Sequence, residues 1–263
     1  MKKTTRIDSE NNPTFRLFLK LTKSRGIKKH GLSIMSRSKH VREVVKTFPE
    51  RCEGLIFSDL HEPPSESVPP HVRYFHLKPT LFRRIDIHST GQPLLLVRFS
   101  PFRKWTDSSE TNGCTLCIPF QDPANVGAAI RTAAAFDVTR IVLLKEAAHP
   151  FHFKSIRVAG STVFRVSLFE GPSLDELTVS KIPLITLSPE GRDICDFKFP
   201  SSFCLLPGLE GTGLPVLRSR TTRLSIPMAH GVDSLNAVMA TGISLYLWKE
   251  QNRSGAKQGK KSA

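Results

Sequence analysis

Ile118-Pro119-Phe120-Gln121-Asp122-Pro123-Ala124-Asn125-Val126-Gly127-Ala128-Ala129-Ile130-Arg131-Thr132-Ala133 reads as the end of a strand, a polar loop and the start of a helix. The apolar run over residues 114–120 suits a buried strand, and the alanine-rich run over 125–136 suits a helix. A ligand lying beyond such a strand meets the unpaired N–H groups of the helix start. Gly127 and Arg131 stand four apart and share one helical face. The glycine allows another backbone or a ligand to approach closely, and Arg131 projects beside that surface. The same residues also describe a plain core helix, with Asn125 as its N-cap and Arg131 as a surface charge.

Strands and helices go on alternating toward the C-terminus: strands over 140–144 and 163–169, a helix over 174–179, strands over 183–187, 203–206 and 224–226, and a long helix over 234–248. That order predicts a mainly parallel sheet with helices on both faces. Two further stretches interrupt it. Leu205-Leu206-Pro207-Gly208-Leu209-Glu210-Gly211-Thr212-Gly213-Leu214-Pro215 places three glycines after an apolar strand, in an order that is neither a dinucleotide fingerprint nor a Walker loop. Alone it could be a turn. Leu224-Ser225-Ile226-Pro227-Met228-Ala229-His230-Gly231-Val232-Asp233-Ser234-Leu235-Asn236-Ala237-Val238-Met239-Ala240 ends a strand at a proline and then starts a helix capped by Asp233 or Ser234. That helix is apolar on nearly every side, as a central core helix or one at a subunit contact would be.

Toward the N-terminus, residues 100–113 are turn-rich and form the expected linker. Before them, a single amphipathic helix is expected over 12–29, around Phe15, Phe18, Leu19 and Leu21. Another spans 38–48, where Val41, Val44, Val45 and Phe48 fall at i, i+3, i+4 and i+7. A strand over 54–57, prolines 63, 64, 69 and 70 in a loop, a helix over 80–85 and the apolar run 93–97 complete a small α/β unit. The tail, residues 251–263, is expected to be disordered because it is rich in Lys, Gly and Ser and carries no large apolar residue.

The formal net charge of +15 is unevenly spread. Residues 1–100 hold 19 Lys and Arg against 9 Asp and Glu, residues 101–250 hold 15 against 14, and the tail holds four against none. Basic ends with a near-neutral middle suit a phosphate backbone as partner. No apolar run is long enough to span a membrane, and the basic start Met1–Arg6 has no apolar stretch behind it, so a cytoplasmic address is expected. The five cysteines are odd in number and lack framework spacing, which favours free thiols. Cys114 and Cys117 form a CxxC on a strand with no second pair, so core cysteines are favoured over zinc ligands. His149 and His152 read as loop residues, and no Ser/His/Asp arrangement suggests a hydrolase.

Together the three stretches resemble the signature motifs of the SpoU/TrmH-type RNA 2'-O-ribose methyltransferases of the SPOUT superfamily. The first carries Asn125, Gly127, Arg131, Thr132 and Ala133. The second carries Gly208, Glu210, Gly213 and Leu214, and the third Ile226, Pro227, Met228, Ser234, Leu235 and Asn236. Order and spacing both fit, over Cys114 to about Trp248. A weaker likeness joins residues 12–99 to that family's small, L30e-like RNA-binding domain. Two family glycines are replaced, by Arg37 before a helix and by Asp137 after the AAAF run.

The resemblance implies an α/β fold in which a parallel-sheet SPOUT domain at 114–250, with a deep trefoil knot, follows an L30e-like domain at 30–99 and a basic N-terminal segment at 1–29. It implies S-adenosylmethionine as cofactor, held by Gly208, Ile226, Leu235, Met228 and Ser234, and no metal. It implies catalysis by Arg131, Asn125, Glu210 and Asn236 on structured RNA, ribosomal RNA being favoured, in a homodimer. The alternatives are a transfer RNA 2'-O-methyltransferase, a base methyltransferase of the same superfamily, and an RNA-binding protein without chemistry.

Overall fold

The computed structural model describes residues 4–59, 68–108, 112–209, 214–215 and 217–259, the last six by backbone alone. In chain order the elements are β1 (Thr4–Ile7), α1 (Pro13–Lys20), α2 (Ser24–His30), β2 (Leu32–Met35), α3 (Ser38–Thr47), β3 (Cys52–Ser58), β4 (Arg73–Leu77), α4 (Pro79–Ile85) and β5 (Leu94–Arg98). Then come β6 (Arg103–Lys104), β7 (Gly113–Ile118), α5 (Pro123–Ala135), β8 (Arg140–Leu143), α6 (Phe153–Ala159), β9 (Ser167–Glu170), β10 (Leu184–Asp193), β11 (Ser202–Leu206), β12 (Thr221–Ser225) and α7 (Ala237–Gly259). Two compact units result, Met1–Pro101 with His149–Phe164, and Phe102–Ala148 with Arg165–Ala263.

The first unit holds a mixed sheet in the order β1-β4-β3-β5-β2. β1, β4 and β3 run parallel, while β5 is antiparallel to β3 and β2. Phe15, Phe18, Leu21, Ile56, Phe75 and Leu77 share its core. The basic N-terminal segment is therefore part of this fold rather than a separate arm, since β1 is an edge strand and α1 buries Phe15 and Phe18. The single helix expected over 12–29 is two. A Cβ on Gly26 would lie 2.0 Å from the Lys20 carbonyl oxygen, so α2 turns back on the end of α1 at a distance only glycine allows. The short strands β1, β2 and β4 escaped the reading because four or five residues carry too little period-2 signal.

Residues 149–164 complete this first unit. The Phe151 ring stacks on Phe99 with centroids 4.1 Å apart, and Ser33 Oγ donates to the Phe151 carbonyl at 2.7 Å. Arg157 Nη1 lies 2.6 Å from His88 Nδ1. The stretch thus belongs with the first unit rather than with the domain expected over 114–250, and it adds the unexpected helix α6.

The second unit holds a seven-stranded sheet, β12-β10-β11-β7-β8-β9-β6, in which every pairing is parallel. Its inner strands are buried on both faces, which is why they read as unbroken apolar runs. Most expected elements stand. The helix over 174–179 does not: Leu174, Leu177 and Val179 are buried in the core, while the backbone turns there and Val179 N–H donates to Ser219 Oγ at 2.8 Å. The linker contributes β6, and Asp107 Oδ2 accepts from the N–H groups of Ser180 and Lys181 at 2.8 and 2.9 Å. α7 continues through Gly259 where a disordered tail was expected. Arg37 (φ 76°) and Asp137 (φ 59°), the two residues standing for family glycines, both occupy positive φ.

Candidate active site

β10, β11 and β12 are adjacent and parallel, so their C-terminal ends open on one side of the sheet. A cavity of about 970 Å³ lies there. Gly208, just beyond β11, Ile226 and Met228, just beyond β12, and Ser234, Leu235 and Asn236, before α7, all line it. Two stretches separated in sequence thus meet around one space, at the place where open parallel sheets bind ligands. Glu210 lies outside the described residues.

Asn236, rather than Asp233 or Ser234, caps α7. Its Oδ1 accepts from the N–H groups of Val238 and Met239 at 2.9 and 3.3 Å. Its amide nitrogen keeps both donors for other partners. Similarly Asp122, not Asn125, caps α5, accepting from Ala124 N–H at 2.9 Å, and half-buried Asn125 follows in the first turn. Arg131 is exposed on α5 and does not line the cavity. α5 packs on α7, where Thr132 Cγ2 lies 3.5 Å from the position a Cβ on Gly242 would take. Phe136 meets Tyr246 edge to face, and Asp137 pairs with Lys249. The helix bearing Arg131 is thereby fixed against the helix that begins at the cavity.

The sequence reading missed one wall. β10 pairs with β12 at Leu187 opposite Leu224, and again at Arg192 opposite the same Leu224, so residues 188–191 bulge out of the ladder. Ser188, Pro189 and Glu190 of this bulge line the cavity, as does Arg223 of β12. A Cβ on Gly191 would lie 2.4 Å from the Leu224 carbonyl carbon. The only signal was a turn-forming Ser-Pro-Glu-Gly directly after an apolar strand.

The remaining candidates are structural. Cys114, Cys117 and Cys204 are buried free thiols; Cys117 is held well above the usual thiol range chiefly by its hydrogen bond with Cys204, and Cys114 by burial. Among the described residues no three His, Cys, Asp or Glu side chains are grouped to hold a metal. His230 is exposed and off the cavity wall. His149 is pushed down to about 4, by burial first and then by Lys28 and His152. Among the described residues, no helix is long and apolar enough to cross a membrane.

Residues 116–246, which span β7 to the middle of α7, match the model of the SpoU rRNA Methylase family. The chain belongs to that family. A ribosomal RNA small subunit methyltransferase G 2 of Syntrophobacter fumaroxidans is 44% identical over 95% of this chain and 50% of its own length. The chain spans about half the length of several curated relatives it matches, this one included. The 23S rRNA (guanosine(2553)-2'-O)-methyltransferase of Bacillus subtilis is 25% identical over 91% of the chain and 97% of its own length. Among solved structures, an AdoMet-bound rRNA methyltransferase from Sinorhizobium meliloti superposes with a TM-score of 0.76 at 22% identity, over 94% of this chain and 98% of that one. This SpoU-family chain therefore shares its fold with that enzyme through both units.

Proposed function

We propose that this chain transfers a methyl group from S-adenosylmethionine to a ribose 2'-hydroxyl of structured RNA, ribosomal RNA being the favoured substrate. The observation that carries the reading is the convergence of Gly208, Ile226, Met228, Ser234 and Leu235 on one cavity. The cavity is large enough for a cofactor of that size, small-molecule sites being roughly 300–1,000 Å³. Its wall joins apolar side chains to strand-end backbone, a donor set that suits an adenine ring. When bound, the cofactor supplies an activated methyl group on a sulfonium. β12 lies on the far side of β10 from β11, an order compatible with the trefoil knot that the family likeness implies.

In this reading Arg131 holds the phosphate beside the target ribose and stabilises negative charge growing on its 2'-oxygen. A guanidinium keeps its proton up to a pKa above about 12, so a clamp suits it better than the role of base. Positioning of this kind can supply roughly 7–11 kcal/mol at best. Asn125 and Glu210 orient Arg131 and the loop, and Asn236 lines the cavity beside the cofactor. The grip on RNA falls to the first unit. From Asn11 to Arg42 the sequence holds nine Lys and Arg and no acidic residue, along α1, α2 and α3. Val232, Leu235, Met239 and Tyr246 are exposed apolar side chains around α7, which supports a homodimer through that helix.

Ribose as target rests on the Bacillus relative's name. The Syntrophobacter relative is about twice as long, so its name does not fix the reaction of the shared half. The test is incubation of the full chain with methyl-labelled S-adenosylmethionine and ribosomal RNA, followed by digestion to nucleosides. Label in a 2'-O-methylnucleoside is expected. Label on a base would replace the ribose reading, label only on transfer RNA would move the substrate, and no label on any RNA would leave an RNA-binding protein.

A further inference from the structure

The cavity wall carries an acid and a base that do not pair with each other. Glu190 sits on the bulge that leaves β10, and Arg223 sits on β12 opposite Thr186. The neighbour of Glu190 comes close against Arg223, because a Cβ on Gly191 would lie 2.7 Å from the Arg223 carbonyl carbon. Both residues are exposed and line the cavity, and neither has an ion-pair partner among the described residues. The sole hydrogen bond described for Glu190 is from its own N–H to Ser188 Oγ at 3.4 Å. Two neighbouring opposite charges left apart at a cavity wall are complementary to a ligand group that carries both charges on adjacent atoms. An α-amino acid end is such a group.

We infer that Glu190 and Arg223 bind the α-amino acid end of the cofactor, Glu190 accepting hydrogen bonds from its ammonium and Arg223 donating to its carboxylate. The inference rests on S-adenosylmethionine as the proposed cofactor. It gives the bulge a purpose: a regular β10 would keep residue 190 in the ladder, whereas four extra residues carry its carboxylate onto the wall. The apolar part of the wall, Leu187, Leu214, Ile226 and Met228, is left for the nucleoside. Asp233 also lines the cavity, from the loop before α7, and is the competing partner for the ammonium.

Two ligands separate the possibilities. S-adenosylhomocysteine carries the amino acid end on an uncharged sulfur, and 5'-methylthioadenosine lacks that end. Calorimetric titration of the full chain, its Glu190→Gln, Arg223→Met and Asp233→Asn variants, with melting curves to check folding, should give a split. Glu190→Gln and Arg223→Met should each weaken S-adenosylhomocysteine about ten- to a hundredfold, the worth of a charge-assisted hydrogen bond, and leave methylthioadenosine within about twofold. Equal weakening of both ligands, or no weakening of either, overturns the assignment while the cofactor reading stands. A split seen with Asp233→Asn and not with Glu190→Gln gives the ammonium to Asp233 and overturns it too. If the unaltered chain binds neither ligand, the cofactor reading falls and this inference falls with it.

Discussion

Replacing Gly191 with alanine puts one methyl group where the structure has no room for it. The new Cβ would lie 2.4 Å from the carbonyl carbon of Leu224, 2.6 Å from its nitrogen and 2.7 Å from the carbonyl carbon of Arg223. All three atoms are backbone of β12, so no side-chain rotation relieves the clash. Carbon atoms rest at about 3.5–4.0 Å, and the bulge must therefore lift off β12 by about 1 Å. Overpacking of a fixed backbone costs about 1–3 kcal/mol, and the upper end applies where nothing flexible can give. At about 2–4 °C per kcal/mol for a chain of this size, the melting temperature should fall by about 6–12 °C. Affinity for S-adenosylhomocysteine should fall as well, because Ser188, Pro189 and Glu190 move with the bulge. Gly242→Ala is the control. Its nearest contact is Thr132 Cγ2 at an ordinary 3.5 Å, and alanine inside a helix gains up to about 1 kcal/mol over glycine. Calorimetric melting of both variants decides the matter: a Gly191→Ala protein that melts with the unaltered chain, with unchanged ligand affinity, would refute the account of the bulge.

Arg131→Lys should lower methyl transfer to RNA by at least about a hundredfold, as loss of a charge-stabilising donor does, while ligand affinity in the cavity stays within twofold. Full activity in the lysine protein would sink the clamp, since lysine lacks the planar fork. The His149 imidazole titrates near 4 when folded, below its usual 6.5, so the folded state prefers it neutral. Stability is then full above pH 6.5 and falls as the pH drops toward 4. Melting temperatures of His149→Gln should lose part of that slope, and identical profiles would count against it. Arg37→Gly should raise the melting temperature by about 2–4 °C by relieving about 1 kcal/mol of positive-φ strain. Arg37→Ala, which keeps the strain, should not, and equal gains in both would show that the charge mattered instead of the backbone.

The parallel sheet was legible because its strands are buried on both faces, so Cys114–Ile118 and Phe203–Leu206 stand out as apolar runs. The cavity was legible through the motif residues around Gly208, Ile226 and Ser234, all of which line it. The bulge wall was not, because Ser188-Pro189-Glu190-Gly191 has the composition of any surface turn. Its meaning comes from pairing with β12, some thirty residues later. The caps at Asp122 and Asn236 were placed two or three residues off for a similar reason. Asn, Asp and Ser compete for the same cap, and the winner is set by where tertiary contacts start the helix. The expected helix over 174–179 failed because Leu174, Leu177 and Val179 bury into the sheet's core without needing helical spacing.

The two places occupied by Arg37 and Asp137 show that a backbone shape can outlive the residue that made it easy. Both keep φ positive although neither is glycine.

The discontinuity of the first unit has a consequence for how such a protein can change by recombination. Its core is written in two passages of the gene, 1–101 and 149–164, with part of the other unit's sheet encoded between them. A cut after Pro101 would strip Phe99 of its stacked ring and Ser33 of its acceptor. The first unit is therefore not a portable module that could be exchanged for another by a single crossover. A transplant that works must carry the Phe151 passage along with it, or replace it with a helix that fills the same groove.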